Sequence, residues 1–85
     1  MAVADSEVRD EIVRQIAQEK SVAPRDVAQA LAGDGEDWRK YLPRIRAEAT
    51  VLYHAGELSF LRKRKPVPPE GLKGIYRLSK PVDAE

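Results

Sequence analysis

An α+β fold, with three helices leading into a β-hairpin, is what this 85-residue sequence predicts, and three observations predict it. Apolar residues recur at helical spacing through the first two-thirds of the chain. Beyond Gly56 the spacing changes to strand-like alternation, and glycine and proline punctuate the boundaries. A chain of this length supports one domain, burying a little over roughly 60% of the surface that its unfolded state exposes, so a deep catalytic cleft is not expected. The domain is expected to span 6–79, with flexible tails at 1–5 and 80–85.

Val8, Ile12, Ile16 and Ala17 share one face, with Val13 beside them, and predict a helix from Asp5 or Ser6 to about Glu19. Ser6 suits its N-cap, and Glu7 and Asp10 put negative charge where free amide groups and the helix dipole favour it. A second helix follows Ser21-Val22-Ala23, with Pro24 at its first position, where a missing amide hydrogen costs nothing. Val27, Ala28 and Leu31 form its apolar stripe, and Gly33-Asp34-Gly35 stops it.

Asp37 can cap a third start, since Trp38, Leu42, Ile45, Ala49 and Leu52 again share a helical face. Pro43 interrupts that pattern, because it cannot donate the bond an unbroken helix needs. Two solutions fit: a short turn over Trp38 to Tyr41 leading into a separate helix, or one kinked helix, with Gly56 as the end of either. Leu58-Ser59-Phe60 and Gly74 to Leu78 then alternate as strands of a long-looped hairpin. The prolines of the loop over Pro66 to Lys73 bias their preceding residues to extended geometry. The core expected from these elements is Val8, Ile12, Ile16, Val27, Leu31, Trp38, Ile45, Leu52, Leu58 and Phe60.

This element order is that of a winged helix, with Val22 placed to add a short third strand. The runs Pro24-Arg25-Asp26-Val27-Ala28, Trp38-Arg39, Leu42-Pro43, Ile45-Arg46, Pro66-Val67 and Gly74-Ile75-Tyr76-Arg77, with Leu52 and Gly56, resemble the small bacterial family catalogued as domain of unknown function 3253. The resemblance covers roughly Val8 to Leu78; it implies a winged-helix fold and supplies no activity. One departure concerns the wing. A glycine is expected in the basic turn before Pro66-Val67, yet Arg62-Lys63-Arg64-Lys65 is all cation, which implies a longer or differently turned tip.

Without cysteine, disulfides, thiolate zinc sites and iron–sulfur ligation are excluded. No apolar run approaches the roughly 20 residues of a membrane span, and the acidic N-terminus lacks the form of a signal peptide, so the expected compartment is the cytoplasm. His54 is the single histidine, and the four serines have no base nearby in sequence, so no acyl-transfer triad can be assembled. Asp34-Gly35-Glu36-Asp37 lacks the alternating ligand spacing of a calcium loop. No glycine-rich run opens a helix as a phosphate cradle would. The expectation is a protein with no catalytic residue, metal or cofactor.

Charge is the remaining signal. Met1 to Asp37 carries nine acids against four bases, while Trp38 to Lys80 carries eleven bases against three acids. Ions respond to such local fields even when the chain's net charge is only +1. If the third helix enters a groove, its leading cations Arg39, Lys40, Arg44 and Arg46 are candidate nucleic-acid contacts, with Arg44 foremost. The wing would add Arg62, Lys63, Arg64 and Lys65 as phosphate contacts. Double-stranded nucleic acid is thus one expected partner. The alternative is a protein partner, docked on the acidic first-helix face (Glu7, Asp10, Glu11), with the wing cations protecting a sheet edge. Trp38 and Tyr41 could stack on bases, but core packing suits Trp38 better.

Overall fold

The computed structural model describes residues 4–70, 72 and 74–81. The expected tails lie partly outside these residues, as do positions 71 and 73 of the expected loop. Helix α1 spans Asp5–Gln18 and buries Val8, Ile12 and Ile16, a narrow stripe at spacings of four. Val13, one position round from that stripe, is 40% exposed, and Ala17 is exposed too. Ala4, not Ser6, is the N-cap; Ser6 lies inside the first turn, while the Glu7 carboxylate reaches back to accept from the Ala4 amide.

Helix α2, Pro24–Leu31, opens with the proline at its start. The chain between α2 and the third helix turns at Gly35, whose φ of 79° suits glycine. A 3-10 turn over Trp38–Tyr41 follows, capped by the Asp37 carboxylate accepting from the Arg39 amide, and runs into helix α3, Leu42–His54. Of the two solutions open at Pro43, the separate helix is the one formed. Pro43 sits in its first turn, where no intrahelical donor is missed. Gly56, at φ 78°, ends α3 with the paired bonds of a Schellman motif: Gly56 amide to Tyr53 carbonyl and Glu57 amide to Leu52 carbonyl.

The sheet departs from a long-looped hairpin. Strands β1 (Ser59–Arg62), β2 (Lys65–Val67) and β3 (Arg77–Ser79) form an antiparallel sheet in the order β2-β1-β3. The hairpin is therefore β1–β2, closed by only Lys63 and Arg64, and the later segment pairs on the other edge of β1. Phe60 is the shared register point, opposite both Val67 and Leu78. Lys63 and Arg64 both have positive φ, 53° and 69°, the signature of a type I′ turn, whose twist matches that of its strands. Pro66 is tolerated because β2 is an edge strand. Val22 bonds Leu78 in both directions, at 2.7 and 2.8 Å, and covers the opposite edge as a short bridge.

The core gathers Val8, Ile12, Val27, Ile45, Leu52, Leu58, Phe60 and Leu78 between helices and sheet. Two expected members differ. Leu31 and Trp38 are only partly buried, and Tyr41, at 3% exposure, takes the interior place instead. The 3-10 geometry is the reason: its tighter winding turns Tyr41 inward beside Ile45 and leaves the indole at the surface of the core. Three helices with this antiparallel sheet make an α+β fold consistent with a winged helix.

Candidate nucleic-acid interface

The cations of the 3-10 turn and of α3 expected to lead into a groove are engaged elsewhere. Arg44 is paired with Asp5 of α1 at 2.8 Å. Lys40 is held by Glu36. Arg39 lies over the Trp38 ring, 4.6 Å from its centre, with Asp37 nearby at 3.4 Å. Arg46 faces inward: its Nη2 donates to the carbonyls of Pro69 and Leu72 at 3.0 and 2.7 Å, and its guanidinium covers Tyr76. The stripe that α3 leaves exposed is Pro43, Ala47, Val51 and His54. It carries no Lys or Arg and no amide side chain of the kind that reads base edges.

The wing is different. Arg62, Lys63, Arg64 and Lys65 are all exposed on the hairpin, and Lys63, Arg64 and Lys65 have no carboxylate partner among the described residues. Lys63 and Arg64 share the lining of a cleft with Lys20, Leu61, Ile75, Tyr76 and Arg77. Among the described residues no Asp or Glu lines it. Lys20 arrives from the loop after α1, and Arg77 from β3, where it donates to the Ser21 hydroxyl and carbonyl at 2.7 and 3.1 Å. Arg77 thus donates to neutral acceptors and has no carboxylate partner among the described residues. A field of this kind attracts anions without needing further organisation.

Sequence reasoning missed Lys20 and Arg77. Strand alternation held a usable signal for Arg77, since Leu78 must point inward beside Phe60 and its neighbour must then point out. Lys20 had none, because only the Val22–Leu78 bridge brings its loop to the sheet.

The acidic face of α1 is partly satisfied within the helix. The Glu11 carboxylate accepts from Arg14 and Gln15, and the Arg14 guanidinium holds its pKa below the ordinary carboxylate range against a smaller opposing effect of burial. Glu7 and Asp10 stay exposed. His54 meets Glu70 at 3.6 Å at the end of α3. Among the described residues no group of three or more His, Asp or Glu side chains could hold a metal ion, and no helix is long and apolar enough to cross a membrane.

Helices, sheet and hairpin together define a small α+β domain with its cations concentrated at the wing. The family model described as protein of unknown function (DUF3253) matches residues 5–81, and the chain belongs to that family. Comparison with curated proteins finds no match.

Proposed function

We propose that this is a non-enzymatic binding module that holds duplex nucleic acid by its phosphate backbone, led by the wing and not by α3. The observation that carries the reading is the cleft around Lys20, Lys63, Arg64 and Arg77, lined by cations from three separate parts of the chain and, among the described residues, by no acid. Phosphate contacts need charge and reach alone. The exposed stripe of α3 carries no Lys, Arg, Asn or Gln, so the binding is largely indifferent to sequence. A dissociation constant of roughly 10⁻⁴–10⁻⁶ M at physiological salt is expected, as for other non-specific contacts.

Fluorescence anisotropy with labelled duplex at several salt concentrations tests this. Removing one phosphate-binding cation should reduce the logarithmic salt slope by about one, so replacing both Lys63 and Arg64 with alanine should reduce it by about two. Arg44→Ala should have the smaller effect, since Asp5 already engages that side chain. Absence of binding at low ionic strength, where attraction to a basic patch is greatest, would overturn the proposal.

The protein-partner reading keeps one specific support. Edge strand β2 carries Lys65 and Pro66, both devices by which natural sheets discourage pairing with another chain. On that reading the wing cations guard an edge, and the salt slope is indifferent to them.

A further inference from the structure

On the other side of Ile75 from the wing cleft lies a second groove, of about 640 Å³, between the start of α2, the start of α3 and the segment that leads into β3. Its walls are apolar: Pro24, Trp38, Leu42, Pro43, Ile75 and Tyr76. Ile75 is 89% exposed, an aliphatic side chain left almost wholly in water beside an open apolar wall. The cations of the groove are Arg25, Arg46 and Arg77, and among the described residues no Asp or Glu lines it. Arg46 and Arg77 donate to carbonyl and hydroxyl oxygens. Arg25 has no carboxylate partner among the described residues. Arg46 is turned inward onto the Pro69 and Leu72 carbonyls, so Arg25 and Arg77 are the two charges that no described carboxylate answers.

We infer that this groove docks an acidic segment of a partner protein that presents one bulky aliphatic side chain. The aliphatic group covers Ile75 and packs against Trp38 and Leu42, removing apolar surface from water on both partners. Flanking carboxylates answer Arg25 and Arg77, and a guanidinium suits a carboxylate by presenting paired donors. A nucleobase fits less well. Arg39 already covers a face of Trp38 at 4.6 Å, Arg46 covers a face of Tyr76 at 5.6 Å, and Phe60 meets Tyr76 edge-on, so stacking would compete with contacts already made. An aliphatic side chain needs only the wall between these rings. That wall is preformed, since two helix starts fixed by proline and the Glu36-anchored turn hold it, and little ordering is needed on binding.

Trp38 is the only tryptophan of the chain and sits in the groove, so its emission reports occupancy directly. The probes are short synthetic peptides in which Asp and Glu flank one central Leu, and the same peptides with Ser at the centre. The Leu peptides should shift Trp38 emission saturably, and the Ser peptides should bind about tenfold more weakly, as loss of one anchoring side chain does. Ile75→Ser should weaken the Leu peptides about tenfold while leaving the fold intact, because the side chain is 89% exposed. Lys63→Ala with Arg64→Ala should leave peptide binding at physiological salt unchanged, which separates this groove from the nucleic-acid proposal. Equal binding of Leu and Ser peptides, indifference to Ile75→Ser, or no binding by emission and calorimetry would each overturn the inference.

Discussion

Arg9 of α1 donates from both Nε and Nη2 to a single oxygen, Oε1 of Glu48 on α3, at 3.0 and 2.8 Å. Glu48 keeps only 9% exposure, whereas the Arg9 side chain is 44% exposed. A buried carboxylate thus depends on a half-exposed partner 39 positions away, and that dependence ties the first helix to the third.

Arg9→Ala should cost about 1–3 kcal/mol, less than the penalty for a fully buried pair, because water can still reach the vacated side. Arg9→Met combined with Glu48→Leu should recover most of that loss, since apolar replacement removes the desolvation problem with the charge. Urea midpoints of the parent and these variants check this. An unchanged midpoint for Arg9→Ala would mean that the pair does not join the helices.

Glu36 organises the connection between α2 and the 3-10 turn, accepting from the Gly33 amide at 2.6 Å and from the Tyr41 hydroxyl at 3.0 and 3.1 Å, with Lys40 also paired to it. The Gly33 amide first, then Lys40 and Tyr41, hold its pKa down to about 2 from the ordinary 4.5. A depressed carboxylate stabilises the fold fully above its unfolded value and loses that contribution as pH falls through the folded one. Glu36→Gln should therefore lower the urea midpoint at neutral pH, and the gap to the parent should close between pH 4.5 and about 2. A gap independent of pH would show that the carboxylate's charge is not what holds the turn. Other acids titrate in that window, and comparing the two proteins at each pH cancels them.

The wing tip stores strain, since Lys63 and Arg64 adopt left-handed angles that favour glycine or asparagine. Arg64→Gly should stabilise the domain by about 0.5–1 kcal/mol after the entropy cost of glycine, raising Tm by about 2–8 °C. On the proposed function the same change should reduce the salt slope for duplex by about one. Stability would then rise as binding falls, and calorimetry beside anisotropy reads both. A lower Tm would refute the strain.

Arg46 should act on stability and not on nucleic-acid affinity. Losing its bonds to the Pro69 and Leu72 carbonyls should cost about 1–3 kcal/mol in Arg46→Ala, and the salt slope for duplex should not change. Arg46→Lys should restore only part, because an ammonium cannot lie flat over Tyr76 while serving both carbonyls. A change in salt slope would return Arg46 to the interface.

The sequence by itself determined the helices, because their cause is local. Periodicity placed Val8, Ile12 and Ile16 inward, and prolines at Pro24 and Pro43 and the glycine at Gly56 set boundaries through backbone constraints that neighbours alone decide. The basic wing was legible for the same reason, since its charges are consecutive. The pairing of the sheet was not. Lys63-Arg64 carries no glycine to announce a tight turn, and only the gain of pairing β1 with β2 makes two left-handed residues tolerable. Tertiary structure also decided which cations remain available. Arg44 looks outward on a helical wheel and Arg46 lies at the flank of the apolar stripe, yet Asp5 lies 39 positions from one and the Pro69 carbonyl 23 positions from the other. Lys20 and Arg77 became neighbours of the wing through the Val22–Leu78 bridge. Helical periodicity acts over a few residues and can be read along the chain, whereas charge acts through space, and only the fold sets which charges meet.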